Sequence, residues 1–307
     1  MNHAPMRVLV IGSRGQVARA LLATLPRHGF DVAVAARPQI DLARPETVAA
    51  AIRHVRPQVV INPAAYTLVD RAEDEPALAM AINADGARAV AEQAREAGAA
   101  ILHLSTDYVF DGTKSSPYVE TDPTAPLGVY GRSKLAGERA VAAANPRHAI
   151  LRTAWVCSPY GSNFLLTMLR LAGERTELRV VDDQRGAPTF AADIAEAMVP
   201  IVAGLGQGGG PDDRCGIFHI ASAGEATWCG FARAIMAGSA ARGGPCAKVV
   251  PIPGRDYPAK AARPAYSKLS TDKLKRVFGI DMPDWQDGLS RCLDAHFGTQ
   301  PEGRGAR

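Results

Sequence analysis

The feature that most restricts the fold stands at the start of the chain, where a strand pattern leads directly into a glycine turn and a helix pattern. Residues 7–11 read RVLVI and residues 12–18 read GSRGQVA. Gly12 permits a tight turn, Gly15 lets backbone N–H groups approach a pyrophosphate, and the small Ala18 allows the helix to pack on the strand. An ordinary glycine-rich turn is the alternative, but the strand–turn–helix context favours dinucleotide binding.

The first half of the chain then repeats this alternation of strands and helices. Apolar runs typical of buried parallel strands occur at residues 31–35, 59–62, 101–104 and 149–152, with helical patterns between them. Repeated units of this kind predict an α/β fold with a Rossmann-type doubly wound parallel sheet. After residue 155 the pattern loosens, which predicts a smaller C-terminal substrate-binding lobe.

These patterns suggest how the chain is divided. Residues 6–155 are predicted to form an NAD(P)-binding Rossmann domain whose sheet is completed by later segments. Residues 156–298 are predicted to form mainly the substrate-binding lobe, interleaved with the first domain, and residues 299–307 a disordered tail. Two local expectations are a long helix reaching about residue 97, after residues 69–73, and a flexible glycine-dense loop over residues 204–210.

Composition excludes several classes of protein. The 307 residues are 47% hydrophobic with a net charge of only +4, and they contain no basic cluster with interleaved aromatic residues, so nucleic acid is not an expected partner. Five scattered cysteines without a Cys-x-x-Cys motif argue against a disulfide framework or a zinc site and for a reducing compartment. With no signal-peptide pattern and no apolar run of membrane-spanning length, we expect a cytoplasmic protein without a membrane partner.

The end of the second strand bears on the choice of cofactor. In NAD-selective folds an acidic residue there holds the ribose 2′-hydroxyl, but this chain reads Ala35-Ala36-Arg37. Arg37 could meet a 2′-phosphate, which favours NADPH and leaves NADH open; a solvated loop arginine is the alternative. Asp41 could face an adenine amino group or cap the following region.

A tyrosine and a lysine four residues apart, Tyr130 and Lys134, lie one turn apart on a predicted helix. A neighbouring ammonium favours phenolate, so the phenol could exchange a proton nearer neutral pH. The alternative is a surface helix with a tyrosine at its buried edge. Upstream, Ser105 and Thr106 end a buried strand, where their hydroxyls could bond either a substrate oxygen or the strand-end backbone.

Five segments together carry a resemblance to a known family. They are residues 105–112 (STDYVFDG), 130–138 (YGRSKLAGE), 152–156 (RTAWV), 183–189 (DQRGAPT) and 263–267 (RPAYS). In this order they resemble the extended short-chain dehydrogenase/reductase superfamily, and within it the dTDP-4-dehydrorhamnose reductase family, over nearly the whole chain.

This resemblance implies an NAD(P)H-dependent reductase that converts the C4 keto group of dTDP-4-dehydro-6-deoxy-L-mannose to the alcohol of dTDP-L-rhamnose. By the same resemblance, Tyr130 donates the proton, Lys134 lowers the pKa of Tyr130 and binds the nicotinamide ribose, and Thr106 bonds the reacting oxygen. Members of the superfamily are often dimers, so a homodimer is a candidate assembly.

The predicted binding residues follow from these matches, with Arg37 added from the second strand. The cofactor-binding candidates are Gly12, Gly15, Gln16, Val17, Arg37, Asp41, Leu42, Ala65, Tyr66, Thr67, Tyr130 and Lys134. The substrate-binding candidates are Thr106, Asp107, Trp155, Asn83, Arg185, Gly186 and Pro188.

The chain departs from the family pattern in two further places. Cys157 stands where relatives usually have tyrosine or another residue, which affects the local pocket shape. Some relatives bind Mg²⁺ through glutamates at a dimer contact, whereas the helix after the glycine turn here carries Arg19 and Ala20. We therefore predict no metal site.

Two other functions remain open at this stage. One is a nucleotide-sugar reductase, epimerase or dehydratase of the same superfamily; a dehydratase would place a glutamate directly after Asp107, and this chain has Tyr108. The other is a non-catalytic regulatory subunit on the same fold, which the presence of Tyr130, Lys134 and Thr106 disfavours.

Overall fold

The computed structural model describes residues 4–207 and 212–298. Its centre is a six-stranded parallel sheet with the strand order β10-β5-β4-β3-β1-β2. The strands are β1 (Arg7–Ile11), β2 (Asp31–Ala35), β3 (Val59–Asn62), β4 (Ala100–Thr106), β5 (His148–Thr153) and β10 (Gly216–His219). The doubly wound parallel sheet predicted from the apolar runs is confirmed.

Helices cover both faces of this sheet because each face is lined mainly by buried apolar side chains. One face packs against α1 (Gln16–Thr24) and α8 (Ala191–Gly206). The other packs against α2 (Glu46–Val55) and α5 (Ala87–Glu96), with α6 (Val129–Ala144) beside α5. The carboxyl ends of the strands, where ligands of such sheets bind, therefore open between the two helix layers.

The expected long helix that reaches about residue 97 is present over residues 76–96 and contains a π-helical turn. The chain forms α3 (Val69–Ala72), then α4 (Pro76–Met80), then a π-helical turn over Ala81–Gly86 that continues into α5. Pro76 occupies the first turn of α4, where its missing N–H has no helical partner to lose, so a new helix starts there.

The second half builds a separate core and also returns to the sheet. Its helices are α7 (Phe164–Glu174), α9 (Trp228–Ala240), α10 (Asp272–Phe278) and α11 (Trp285–Gly298); α7, α9 and α11 enclose the second core. Strands β7 (Glu177–Val181) and β12 (Lys248–Ile252) pair in parallel, and two-residue strands pair as β6 (Val156–Cys157) with β9 (Thr189–Phe190) and β8 (Arg185–Gly186) with β11 (Ala226–Thr227). Through β10 and α8, this half completes the sheet and its cover.

Two expectations fall at the edges of the described residues. Residues 204–206 of the expected glycine-dense loop belong to α8, which continues to Gly206, and residues 208–210 lie outside the residues that the structure describes. The helix persists there because its last turns lie against the first core, where Leu205 is buried. The predicted tail, residues 299–307, lies outside the residues that the structure describes.

Candidate active site

The cleft at the carboxyl ends of the strands begins at the glycine turn after β1. Gly12 has a φ of +93°, and its N–H donates to the carbonyl of Ala35 at 2.7 Å, which holds the turn against the end of β2. A Cβ built on Gly15 would meet no atom within 4 Å, and no side chain caps the start of α1. The open space beside Gly15 and the uncapped start of α1 fit a bound pyrophosphate.

The other residues of this turn divide between backbone and side-chain roles. Val17 is buried in the core, so only its backbone can face a cofactor. Gln16 directs its side chain away from the turn and into hydrogen bonds with residues of the second half. Both residues were predicted to bind the pyrophosphate, and both retain backbone N–H groups at the helix start.

At the end of β2, Arg37 and Asp41 bind each other. The Arg37 guanidinium is 70% exposed and lies 3.2 Å from the carboxylate of Asp41, which is also 3.9 Å from Arg44. Leu42, the next predicted adenine neighbour, is buried in the core. Because the guanidinium of Arg37 is exposed, it could leave Asp41 and turn toward a phosphate. The Asp41 carboxylate is paired with two arginines.

The segment after β3 contains the predicted cofactor-lining residues Ala65, Tyr66 and Thr67. Its position is held by Asn83, whose side-chain oxygen accepts from the Tyr66 N–H at 2.8 Å. The side-chain nitrogen of Asn83 donates to the Tyr66 carbonyl at 3.0 Å and to the Ser133 hydroxyl at 2.9 Å. Asn83 was predicted to contact substrate, but it is buried and uses its amide to fix this segment against α6.

Lys134 lies on α6, one turn after Tyr130, and is fully buried. Its ammonium donates to the carbonyl of Leu104 at 2.7 Å and lies 3.5 Å from Nε2 of His103. Burial lowers the pKa of Lys134 to about 8, while the nearby Glu138 carboxylate opposes the shift. At neutral pH the side chain is therefore mostly charged and able to lose a proton at modest cost.

The pKa of Tyr130 is shifted in the direction opposite to the one expected from the sequence. Burial raises the pKa of Tyr130 to about 12; a hydrogen bond with the Thr106 hydroxyl opposes this shift, and the charge of Asp107 adds to it. The expected lowering is wrong because the loss of hydration disfavours phenolate more than its neighbours favour it. A phenol that keeps its proton is suited to donating it to a carbonyl oxygen.

Thr106 and Asp107 stand at the end of β4, next to this phenol. The Thr106 hydroxyl donates to Oδ1 of Asp107 at 3.0 Å and accepts from the Tyr108 N–H at 3.2 Å. Oδ2 of Asp107 is buried and accepts no hydrogen bond of ordinary geometry from the described residues. Burial raises the pKa of Asp107 to about 6, with the hydroxyls of Ser267 and Thr106 opposing the shift. Asp107 was predicted to contact the sugar, and Oδ2 is the carboxylate oxygen that lacks a bond of ordinary geometry within the described residues.

Trp155, the second predicted sugar contact, has an unusual backbone and a covered ring face. Its φ is +48°, which is rare for a residue with a bulky side chain. The indole stacks on that of Trp228 with ring centroids 3.5 Å apart and an interplanar angle of 8°. A Cβ at Gly186 would lie 2.8 Å from the Trp155 ring, so glycine is needed for this close approach. Only the opposite ring face can meet a sugar.

The remaining substrate candidates divide between surface and core. Arg185 is largely exposed and pairs with Glu225 at 3.3 Å, whereas Pro188 is buried. Sequence reasoning missed Trp228, whose only signal was its position directly after the capping threonine of α9.

A buried ion pair behind the cleft was also missed. Arg152 donates through Nε and Nη2 to the two oxygens of Glu138 at 2.9 and 2.7 Å, and both side chains are 2% exposed. The Ser105 hydroxyl donates to the same carboxylate at 2.5 Å, a partner other than the substrate oxygen or strand-end backbone that the sequence suggested. These bonds join α6 to the ends of β4 and β5, which sets Tyr130 and Lys134 relative to Thr106.

The described residues contain no group of three or more histidines, cysteines, aspartates or glutamates that could hold a metal ion. Within residues 4–207 and 212–298, no helix is long and apolar enough to span a membrane. The open glycine turn on β1, followed by a Tyr–Lys pair beside a strand-end threonine, defines the class as the extended short-chain dehydrogenase/reductases.

Comparison with known proteins narrows this class. A family model described as the RmlD substrate binding domain matches residues 6–297. The dTDP-4-dehydrorhamnose reductase of Sinorhizobium fredii is 49% identical over 288 residues, covering 94% of this chain and 97% of that protein. The protein of the same name from Escherichia coli K12 is 41% identical over 300 residues, covering 96% and 99%.

A solved structure agrees with these relatives. The dTDP-4-dehydrorhamnose reductase of Bacillus anthracis, in complex with NADP, superposes with a TM-score of 0.88 at 34% identity, covering 95% of this chain and 99% of that one. The chain belongs to the dTDP-4-dehydrorhamnose reductase family.

Proposed function

We propose that this chain catalyses the NADPH-dependent reduction of the C4 keto group of dTDP-4-dehydro-6-deoxy-L-mannose, which yields dTDP-L-rhamnose. The observation that carries the proposal is the meeting of Tyr130, Thr106 and Lys134 at the end of β4, in a chain that has an open glycine turn after β1 and is 49% identical to a reductase of that name. NADH remains an alternative donor.

The chemistry requires a hydride at the carbonyl carbon and a proton at its oxygen. When bound, the nicotinamide supplies the hydride. Tyr130 holds the proton on its phenol oxygen, since its pKa of about 12 keeps it protonated at neutral pH. Thr106 lies beside that phenol, and its hydroxyl, which donates to Oδ1 of Asp107 in the structure, would turn its proton toward the oxygen on which negative charge develops.

Lys134 has two functions in this proposal. Its buried ammonium has a carbonyl partner in Leu104, and its remaining protons can bond the hydroxyls of a ribose. Because its pKa is about 8, it can also pass a proton toward Tyr130 after the phenol has reacted.

The substrate-facing side of the site is proposed to be formed by Asp107, through its free Oδ2, and by the open face of Trp155. Gly186 supports the indole, Pro188 lies in the buried loop behind it, and Arg185 offers a cation at the rim. Asn83 acts on this site only through the Tyr66 segment that it holds.

The two halves of the chain are proposed to bind different ligands. Residues 6–155 would bind the cofactor and residues 156–298 mainly the sugar nucleotide, with β10 and α8 belonging structurally to the first half. Arg37 would favour NADPH through its exposed guanidinium. A cytoplasmic location is proposed for the enzyme, in keeping with its free cysteines.

The test is a spectrophotometric assay of nicotinamide oxidation with purified protein. NADPH and NADH are compared in parallel, and the keto sugar is generated in place from dTDP-glucose by the upstream enzymes. Oxidation that depends on the keto sugar, and that is lost in Tyr130→Phe, is the expected result. Cofactor binding without such oxidation would instead favour an epimerase or a regulatory subunit.

A further inference from the structure

The side chain of Gln16 crosses from the cofactor turn to the second half of the chain. Its Nε2 donates to the carbonyl of Val156 at 3.2 Å. Its Oε1 accepts from the Asn163 side-chain nitrogen at 2.8 Å and from the Ser158 hydroxyl at 2.8 Å. The Ser158 proton is shared with the Tyr160 carbonyl, and the Asn163 side-chain nitrogen also donates to the Ser158 carbonyl at 2.9 Å.

The partners of Gln16 lie in one short stretch, residues 155–163, which we call the bridge segment. It begins with Trp155, which contacts the sugar in the proposed function, and ends with Asn163, which caps α7 by accepting from the Leu166 N–H at 3.0 Å. The Trp155 carbonyl accepts from the N–H of Thr189 at 3.2 Å, next to the predicted substrate residue Pro188. The bridge segment therefore connects directly to the sugar side of the cleft.

Two further contacts hold α1 against the bridge segment. The guanidinium of Arg19, one turn after Gln16, lies 4.8 Å from the ring centroid of Tyr160. At Gly161, whose φ is +80°, a Cβ would come within 3.4 Å of Cγ of Gln16. The aliphatic part of Gln16 is thus packed against the segment that its amide bonds.

Gln16 therefore faces two sites at once. Its backbone N–H belongs to the open first turn of α1, where the pyrophosphate is expected to lie, and its side chain is one residue away from Trp155. A cofactor that fixes the start of α1 also fixes the amide of Gln16. Because the contacts between the two sites are continuous, a ligand bound at the cofactor site can change the affinity of the sugar site.

We propose that Gln16 is a positioning residue that couples the two binding sites, so that bound cofactor increases the affinity for the sugar nucleotide. The coupling is reciprocal, since each ligand must change the affinity for the other by the same factor. This inference rests on the proposed function, because it requires a sugar nucleotide to contact Trp155.

The experiment measures binding rather than turnover. NADPH and dTDP-L-rhamnose serve as probes, because both are already reduced and cannot react with each other. Calorimetric Kd values for dTDP-L-rhamnose are taken with and without saturating NADPH. The native chain is expected to bind the sugar nucleotide about fivefold or more tightly when NADPH is present, within the usual range of coupling between sites.

Gln16→Leu keeps the backbone N–H and the side-chain volume but removes the three hydrogen bonds. We expect the ratio of the two Kd values to fall to about twofold or less. Ser158→Ala removes only a shared bond and should give a smaller loss of coupling. Thr167→Val, which removes a hydroxyl bonded within the same region to the Asn163 carbonyl, is the matched control and should keep the native ratio.

Three outcomes would overturn the inference. The first is a native chain whose Kd for dTDP-L-rhamnose does not depend on NADPH. The second is a Gln16→Leu protein that keeps the native ratio of Kd values. The third is a Thr167→Val protein that loses as much coupling as Gln16→Leu. A native chain that binds neither probe would overturn the proposed function itself, and the coupling with it. Because the coupling is a ratio, a uniform change in NADPH affinity in any variant does not affect it.

Discussion

At the glycine turn the backbone of Gly15 borders open space, whereas around Tyr130 the polar groups are buried and bonded to one another. A Cβ at Gly15 would meet nothing, while Lys134, Asp107 and Glu138 are almost fully buried. The cofactor end is thus formed mainly by backbone groups. The catalytic end depends on desolvation, which moves the pKa values of its acids and bases by two or more pH units. Substitutions should therefore act differently at the two ends.

The largest effect is expected where a buried charge loses its partner. Glu138→Gln leaves the Arg152 guanidinium buried without a counter-charge, which should lower the free energy of unfolding by about 3–5 kcal/mol. Urea denaturation measures the change. Glu92→Gln, an exposed position on α5, is the control and should be nearly neutral. Equal stabilities of the two variants would show that the ion pair is not needed to hold α6.

Removal of the phenol hydroxyl should affect catalysis alone. Tyr130→Phe is expected to lower turnover at least ~100-fold, the size expected for loss of a positioned acid, while the Kd for NADPH changes little. Steady-state kinetics with the keto sugar and fluorescence titration with NADPH separate these two quantities. Near-normal turnover would exclude Tyr130 as the proton donor.

The buried carboxyl of Asp107 should make stability depend on pH. Its pKa is about 6 in the folded protein against an ordinary value of 3.8. Between these values the folded protein keeps a proton that the unfolded chain has lost, so the free energy of unfolding falls as pH rises from about 4 to about 6 and regains its value in acid. Asp107→Asn should remove this dependence.

Denaturant titrations of native protein and Asp107→Asn at about pH 4.5 and about pH 7 test this expectation. The difference in free energy of unfolding between Asp107→Asn and the native protein should be larger at about pH 7 than at about pH 4.5. The increase, in favour of the variant, should be up to roughly 2–3 kcal/mol. Parallel pH profiles would mean that Asp107 does not carry the shifted pKa.

Two glycine substitutions compare the ends of the cleft directly. Gly15→Ala places a Cβ in open space at a φ of −65°, so stability should be unchanged while NADPH affinity falls roughly tenfold. Gly186→Ala places a Cβ 2.8 Å from the Trp155 ring, so the KM for the sugar should rise roughly tenfold with NADPH affinity kept. If both variants weakened binding of the same ligand, the two ends of the cleft would not be separate sites.

The smallest effect is expected at the surface. Arg37→Ala should reduce the preference for NADPH over NADH by roughly fivefold or less, since exposed charge pairs contribute up to about 1 kcal/mol. The ratio of kcat/KM for the two cofactors is the measurement. An unchanged ratio would leave Arg37 as the partner of Asp41 alone.

Local patterns were enough to predict the parts of the site that lie next to each strand. The glycine turn after β1, the hydroxyl at the end of β4 and the Tyr–Lys spacing on α6 are each contained within a few residues. Their arrangement could be inferred because parallel strands bring their carboxyl ends to one edge of the sheet. Asn83 shows where such reasoning fails, because its partners Tyr66 and Ser133 lie 17 and 50 residues away.

The order of buried strands and the chemistry of the Tyr130 pair thus follow from the amino-acid sequence, since hydrophobic period and residue type are local properties. Tertiary structure alone decided the pKa of Tyr130, the pairing of Glu138 with Arg152, and the bridge from Gln16 to Asn163, which are 147 residues apart. Burial and hydrogen bonding depend on which distant groups exclude water from a site, and no spacing within the sequence specifies those neighbours.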